Sequence, residues 1–191
     1  MPTTPKLLLI EGLPKKENCS ECMAIYQSML IFQKGMDRRK LKRPLTNKPP
    51  FRIPDKSTFL TKLQNARSEY IHISAHGDYK DGRTWIELPK GKVYSDEIAD
   101  IKISAKVVFV NACKTWRKDL VNAFSKATTR RKSYYIAPKN DVEYDDALLF
   151  ALLLYKKLLI EGCKRIGVAF NYAYSLPGMK GNYWYRRLQP P

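Results

Sequence analysis

Short apolar segments alternate along this chain with longer segments of helical periodicity. Residues 7–10, 107–110 and 134–137 are such segments, and residues 70–75 form a further strand-like segment. Continuous apolar strands are typical of a sheet that is buried on both sides, so helices must cover both of its faces. The pattern predicts a three-layer α/β/α sandwich with a mostly parallel central sheet. At about the length of one domain, residues 1–191 are predicted to form a single domain.

The connecting segments are predicted from their apolar spacing and capping residues. Helices are expected over residues 20–34, 55–66, 95–100, 116–127, 144–160 and 163–174. Shorter strands are expected near residues 41–45 and in a hairpin formed by residues 85–88 and 92–94. Residues 183–185 form either a final edge strand beside a substrate or a packing segment.

Composition limits the partners and the environment of the chain. Lys and Arg exceed Asp and Glu by 17, which favours contact with nucleic acid, an anionic membrane surface or an acidic protein. Four cysteines are too sparse for a disulfide scaffold, and no apolar segment approaches the roughly 18 residues of a membrane span or the pattern of a signal peptide. We therefore expect a soluble protein of the reducing cytoplasm, with no membrane span.

The densest positive segment runs from Lys34 to Lys48. It fits phosphate contacts to nucleic acid, but the lack of an aromatic pattern like that of an RNA-recognition motif favours a solvated loop or helix face. A second basic run, from Lys126 to Lys132, is predicted to lie in the loop before the strand at residues 134–137.

Two of the predicted strands end in residues that can react. Residues 70–75 lead into His76-Gly77, and residues 107–110 lead into Asn111-Ala112-Cys113. Sites in parallel sheets form at the carboxyl ends of strands, so neighbouring strands would bring His76 and Cys113 to one edge. A cysteine nucleophile needs a histidine to exchange protons with it, and the Gly77 and Cys113 amides could form an oxyanion hole.

The thiol of Cys113 is expected to have a lowered pKa. The predicted helix at residues 116–127 would favour a thiolate through its dipole, and Lys114 and Arg117 would act in the same direction. Each reactive residue alone has an ordinary explanation, because a cysteine that ends a core strand is often a small buried apolar group and a histidine there often a surface residue. Both together favour a catalytic pair. His72 is interpreted as structural.

These residues resemble the caspase-like cysteine peptidases of clan CD, which include caspases, metacaspases, separases and bacterial CHAT proteases. Residues 71–77 are similar to the histidine block of the family and residues 107–115 to its nucleophile block. The CHAT form is the closest, because Thr115 follows Cys113 by two positions and residues 136–155 resemble the stretch after the CHAT nucleophile. Asn111 departs from the pattern, since caspases have Gln and metacaspases Asp at that position.

The resemblance implies a cysteine endopeptidase that cleaves a protein partner, with Cys113 as nucleophile, His76 as general acid and base, and no cofactor or metal. It also implies activation by a protein partner and a role as an effector in bacterial antiviral defence or programmed death. Loops of the family that correspond to residues 126–132 carry processing sites, which makes Arg130-Arg131-Lys132 a candidate cleavage point.

An acidic cluster at residues 141–146 follows the strand at residues 134–137. Asp145 of this cluster, together with Asn111, is predicted to bind a basic side chain of the substrate. First-turn carboxylates of a helix give the same pattern, because they complement the positive end of its dipole.

Two other functions are consistent with the sequence. The first is a catalytically idle caspase-like scaffold that binds nucleic acid or a protein partner through its basic surface. The second is a thiol–disulfide oxidoreductase that uses Cys19 and Cys22, which precede a predicted helix as in thioredoxin-like proteins. The same pair could form half of a zinc site, but no second ligand pair completes it.

Overall fold

The computed structural model describes residues 4–14, 20–36, 44–46, 49–176 and 179–189. Most of the predicted strand at residues 41–45 lies outside the described residues, as do Arg38, Arg39, Arg43 and Lys48 of the first basic segment. Leu45 is described and is fully buried, but it belongs to no strand.

Nine strands and six α-helices are found in the described part of the chain. The strands are β1 (Leu7–Glu11), β2 (Phe51–Arg52), β3 (Tyr70–Ser74), β4 (His76–Lys80), β5 (Arg83–Leu88), β6 (Gly91–Tyr94), β7 (Val107–Asn111), β8 (Ser133–Pro138) and β9 (Tyr183–Leu188). The helices are α1 (Glu21–Gly35), α2 (Lys56–Gln64), α3 (Ser95–Ala99), α4 (Lys118–Ala127), α5 (Tyr144–Tyr155) and α6 (Ile166–Tyr174).

Six strands form the central sheet in the order β2-β1-β3-β7-β8-β9. All of its neighbouring strands are parallel except β9, which runs antiparallel to β8 at the sheet edge. The four apolar segments of the sequence occupy the middle of this sheet, where every residue of β1, β3 and β7 is buried. The predicted fold class is therefore confirmed.

Two hydrophobic cores lie on opposite faces of the sheet. Alternate strand residues serve each core, because successive side chains of a strand point to opposite faces. Helices α1, α5 and α6 cover the face that carries Phe109, while α2, α3 and α4 cover the face that carries Val108. The result is the three-layer arrangement that the sequence predicts.

A second, antiparallel sheet of β4, β5 and β6 follows directly after β3. The hairpin of β5 and β6 agrees with the prediction. Strand β4 was not predicted, because the sequence indicates that the preceding strand stops at His76-Gly77. In the structure these two residues begin β4, with His76 opposite Glu87 and Gly77 opposite Ile86. The sequence of β4 is polar and gives no strand signal, because this strand is stabilised by pairing with β5 and not by burial of apolar side chains.

Several helix ends differ from the predictions. Helix α4 begins at Lys118 instead of Trp116, and α6 begins at Ile166 instead of Cys163. The helix predicted over residues 144–160 is α-helical to Tyr155 and continues as a π-helical turn, Lys156–Ile160. None of the helices in the described ranges has the length and apolar character needed to cross a bilayer.

Candidate active site

The ends of β3 and β7 place the two candidate reactive residues at the same edge of the sheet. The strands are parallel neighbours, and their last paired residues are Ser74 and Asn111. His76 and Cys113 each lie two residues beyond this pair. The Ala75 amide still donates to the Asn111 carbonyl at 3.4 Å, so the two chains remain adjacent as they leave the sheet.

A cleft of about 340 Å³ opens at this edge of the sheet, and both His76 and Cys113 line it. The His76 side chain is exposed and that of Cys113 is half-buried. Most of the wall is apolar, and only a few polar groups converge there, as is usual for small-molecule and peptide sites. The other lining residues are Leu13, Glu21, Ser74, Ala75, Asn111, Ala112, Pro138, Val142, Tyr144 and Ala147.

Gly77 packs directly against the backbone of the nucleophile segment. A Cβ atom at this position would lie 2.7 Å from the Cys113 carbonyl oxygen, 2.8 Å from Thr115 Cγ2 and 3.0 Å from Ala112 Cβ. Only a residue without a side chain permits this approach. The glycine therefore brings the backbone on either side of His76 within contact distance of the Cys113 segment.

The electrostatic setting of Cys113 differs from the sequence prediction. Burial raises the pKa of its thiol above the ordinary value, and the nearby Asp141 raises it further. A hydrogen bond from the thiol to the Val142 carbonyl, at 4.0 Å, lowers the pKa but does not offset the effect of burial. The prediction of a lowered pKa is wrong, because α4 begins five residues later and its dipole acts within its own first turn. Lys114 does lower the pKa as expected, but its contribution is the smallest of these.

The turn after Cys113 is held by Lys114. This residue has a left-handed backbone conformation, φ +57°, which a non-glycine residue adopts rarely. Its amide donates to the Asn140 carbonyl at 3.2 Å, and its ammonium lies 3.3 Å from both Asp78 and Asp141. Lys114 thus ties β4 and the loop before α5 to the nucleophile turn.

Thr115, the residue on which the CHAT resemblance partly depends, is fully buried beneath this turn. Its hydroxyl donates to the Ala112 carbonyl at 2.6 Å, and its own carbonyl accepts a hydrogen bond from Tyr135 at 3.0 Å. The position therefore serves to fix the backbone on both sides of Cys113.

A buried polar network forms the floor of the cleft. The Asn111 amide donates to Glu21 at 2.5 Å and to the Ala147 carbonyl at 3.3 Å, and its oxygen accepts from Tyr183 at 2.8 Å. His72 lies between Glu21, whose carboxylate is 3.2 Å from Nε2, and the Tyr155 hydroxyl, which is 3.0 Å from Nδ1. His72 Nε2 makes no hydrogen bond despite this proximity, but the residue is fully buried and does not line the cleft, which fits its structural interpretation.

A second buried carboxylate, Glu11, lies at the end of β1 beside this network. Ser20 donates to it, and the same hydroxyl caps α1 by accepting from the Met23 amide at 3.0 Å. Glu11 Oε1 is buried and has no hydrogen-bond partner within the described chain. Burial raises the pKa of this carboxyl; the Ser20 hydrogen bond opposes the shift, and the charge of Glu21 adds to it.

Asp145 is not among the residues that line the cleft. It is exposed in the first turn of α5, which agrees with the helix-terminal explanation of the acidic cluster. The carboxylate that does line the cleft belongs to Glu21, which the sequence analysis did not select. Its only local signal is an acidic residue at the start of a largely apolar helix.

The structure describes one member of the alternative thiol pair. Cys19 lies outside the described residues, while Cys22 is fully buried and its Sγ lies 3.4 Å from the Ile10 carbonyl. Burial, with Glu11 and Glu21 nearby, raises the pKa of the Cys22 thiol well above its ordinary value. Across the residues with a described position, no group of three or more His, Cys, Asp and Glu side chains could hold a metal ion.

The sequence matches no protein-family model, and no curated protein matches it significantly. Solved structures do match, and they show that the fold is caspase-like. One is Saccharomyces cerevisiae separase in its complex with securin, which aligns with 97% of this chain at 16% identity and a TM-score of 0.53. The chain spans 12% of the length of that separase chain.

Proposed function

We propose that the protein is a cysteine endopeptidase with Cys113 as nucleophile and His76 as general acid and base. One observation carries the proposal: both side chains line the same cleft of a caspase-like fold, beside a glycine that packs on the carbonyl of Cys113. A protein segment is the proposed substrate. The bacterial CHAT type, a cytoplasmic location, activation by a protein partner and a role in antiviral defence are finer proposals that depend on the resemblance of the sequence alone.

The proposed reaction begins with a neutral thiol, because burial raises the pKa of Cys113. His76 accepts the thiol proton as the sulfur attacks the scissile carbonyl, and the Gly77 and Cys113 amides stabilise the oxyanion. The imidazolium then donates this proton to the leaving amine as the C–N bond breaks, which leaves a thioester on Cys113. His76 next deprotonates a water molecule, and the hydroxide adds to the thioester carbonyl. The C–S bond then breaks to release the carboxylic acid product, and the imidazolium returns its proton to the Cys113 sulfur.

The floor of the cleft is the proposed binding site for the substrate side chain next to the scissile bond. Asn111 retains its proposed role there, since it lines the cleft. Glu21 takes the place of Asp145 as the carboxylate beside Asn111, because Asp145 is exposed in the first turn of α5.

The proposal is tested by iodoacetamide alkylation of each cysteine, followed by mass spectrometry, and by cleavage of a peptide library. We expect His76→Ala to slow the alkylation of Cys113 at least tenfold near neutral pH, and both Cys113→Ala and His76→Ala to abolish cleavage. Cys163→Ala is the matched control, since Cys163 is also half-buried but lies away from the cleft. It should leave both readouts unchanged.

Three results would reject the proposal. Cleavage that survives Cys113→Ala would assign the activity to another site. Alkylation of Cys113 at the same rate with and without His76, and no cleavage of any peptide, would favour the idle scaffold. A redox activity that only Cys22→Ser removes would favour the oxidoreductase, which the burial of Cys22 disfavours.

A further inference from the structure

Strand β9 presents an unusual surface for the edge of a sheet. Its end residues, Tyr183 and Leu188, are buried, but the four residues between them are all exposed. These four are Trp184, Tyr185, Arg186 and Arg187, so the edge combines two aromatic rings with two guanidinium groups. Exposed edges are usually protected by charged side chains, and aromatic rings have no such function there.

The ring of Trp184 is 45% exposed and is nevertheless held in a fixed position. It stacks on Trp116 at 6.4 Å and 25°, and Trp116 stacks in turn on buried Tyr135 at 5.9 Å and 21°. The ammonium of Lys139 lies 5.5 Å from the Trp184 ring centroid. An aromatic ring that is immobilised before binding and lies beside a cation is a suitable platform for a nucleobase.

Tyr185 is fixed in a similar way on the other face of the strand. Its ring lies 4.6 Å from Phe170, and a Cβ at Gly167 would come within 2.7 Å of its hydroxyl oxygen. Helix α6 therefore packs against the ring and its hydroxyl end, while 38% of the residue stays exposed. Both aromatic residues of the edge are thus rigid and accessible.

The surrounding charge has one sign. Residues 120–140 and 162–189 contain ten Lys and Arg and no Asp or Glu. The register pairs Ser133 with Leu188, so the exposed basic loop at residues 130–132 lies at the Arg187 end of β9. Positive side chains therefore border the aromatic rings at both ends of the edge, with Lys139 beside Trp184 at the other.

We infer that this β9 edge, made of Trp184 to Arg187 with Lys139 and residues 130–132, binds single-stranded nucleic acid. Guanidinium and ammonium groups contact the phosphates, and bases stack on the two rings, which is how sequence-tolerant single-strand sites work. Competition by an acidic polypeptide separates nucleic acid from an acidic protein, which would also satisfy the charges. The inference is independent of catalysis, since neither Trp184 nor the two arginines line the cleft.

The test measures fluorescence anisotropy with fluorescein-labelled dT20 and U20, at several NaCl concentrations. We expect Trp184→Ala to weaken binding at least fivefold, because base stacking on one ring is worth about 1–3 kcal/mol. The double variant R186A/R187A should make the slope of log K against log [salt] shallower by about 1.4, since each neutralised phosphate contributes about 0.7 for single strands. Comparison of the two probes shows whether the surface distinguishes DNA from RNA.

The matched control is K80A/K90A, which removes the same charge from exposed positions at the end of β4 and just before β6. It should change the affinity less than twofold. Trp184→Phe keeps a ring and should retain most of the binding, so it separates stacking from loss of structure. All variants should keep the wild-type alkylation rate of Cys113, which keeps this test separate from that of the proposed function.

Three outcomes would overturn the inference. A 20-base-pair duplex that binds more tightly than dT20 and U20 would exclude stacked single strands. If poly-L-glutamate displaces the labelled probe as well as unlabelled dT20 does, and Trp184→Ala has no effect on binding, the surface binds an acidic protein partner. A dimer in size-exclusion chromatography that R186A/R187A dissociates would indicate that the edge pairs with a second copy of the chain.

Discussion

Gly77 is the residue whose replacement tests the candidate site most directly. Gly77→Ala would place a methyl group within 3.0 Å of three atoms of the nucleophile segment, one of them the Cys113 carbonyl oxygen. We expect the free energy of unfolding to fall by about 1–3 kcal/mol, as is usual for overpacking, and cleavage to fall with it because the two strand ends are forced apart. Urea denaturation and the alkylation rate of Cys113 provide the two measurements.

A second glycine provides the comparison. A Cβ at Gly35, at the end of α1, would meet no atom within 4 Å, so Gly35→Ala should leave the stability unchanged or slightly raised. If Gly77→Ala proves as harmless as Gly35→Ala, the close packing of β4 on the Cys113 segment is not what holds the cleft together.

Glu11 gives the stability a defined dependence on pH. Its pKa is raised by burial in the folded state, so the folded protein keeps this proton at pH values where the unfolded chain has lost it. The contribution of Glu11 to the free energy of unfolding is therefore greatest below the ordinary carboxyl pKa of 4.5. It decreases as the pH rises from there through the raised pKa of the folded state, and it is constant at higher pH. Glu11→Gln removes this fall while keeping an acceptor for Ser20.

The measurement is urea denaturation of the wild type and Glu11→Gln at intervals between pH 4 and pH 8. The difference in unfolding free energy should increase with pH in favour of the variant. Two parallel profiles would contradict the raised pKa and would show that Glu11 titrates equally in the folded and unfolded chains.

At the scale of single residues, part of the candidate site could be predicted from the sequence. Local motifs predict His76, Gly77, Asn111 and Cys113; His76, Asn111 and Cys113 line one cleft, and Gly77 packs on the Cys113 segment. Glu21 could not be selected in that way, because its contact with Asn111 joins residues 90 positions apart. The prediction of a lowered pKa for Cys113 was wrong for a related reason. The pKa depends on burial and on Asp141, and no local sequence pattern reveals either of them.

Among the elements, the second sheet is the one that carries His76, and a buried threonine of β5 joins it to α4 through one carboxylate. Asp119, in the first turn of α4, accepts hydrogen bonds from the amide and hydroxyl of Thr84 at 2.8 and 2.7 Å. Thr84 is fully buried on β5, so both of its donors depend on this partner. The contact connects β5 to the helix that follows Cys113, and thereby holds β4 beside the cleft.

Asp119→Ala should therefore lower the free energy of unfolding by about 1–3 kcal/mol, since buried donors lose their partner. Hydrogen exchange should accelerate most at the amides of β4 and β5, and cleavage should weaken as His76 loses its position. Asp119→Asn, which keeps an acceptor, should show a smaller change. Uniform acceleration across the central sheet would instead mean that the two sheets unfold together and that Asp119 has no local role.

Elements were predictable where burial determines them. Strands β1, β3, β7 and β8 follow from apolar sequence, and α4 was expected but begins two residues late, because the left-handed Lys114 and the turn after it come first. Strand β4 has no apolar signature and exists through its pairing with β5. Pairing between strands is a long-range property, so sequence periodicity cannot reveal it.

For the whole molecule, the layers were predictable but the strand order was not. Apolar strands alternating with helices require a covered sheet, whichever strands are neighbours. The order β2-β1-β3-β7-β8-β9 depends on which helix packs on which face, and it is this order that places β3 beside β7. The candidate site thus depends on the part of the fold that the sequence specifies least directly.

The net charge of +17 should also affect stability, because like charges repel in the compact state. The ion pairs found among the described residues are mostly solvent-accessible, such as Lys56 with Glu97 and Arg83 with Asp96, and exposed pairs contribute about 0–1 kcal/mol each. Salt weakens both effects, since the Debye length falls from about 10 Å at 0.1 M to about 3 Å at 1 M. With 35 basic and 18 acidic residues, relief of repulsion should exceed the loss of attraction.

We therefore expect Tm to rise between 0.1 M and 1 M NaCl, by about 2–4 °C for each kcal/mol of repulsion that is relieved. Differential scanning calorimetry measures this. The variant K34E/K80E has a net charge lower by four and should show a smaller rise, because less repulsion remains to be screened. A Tm that falls with salt would mean that the few ion pairs outweigh the excess of basic residues, and that the positive surface is arranged so that its charges hardly interact.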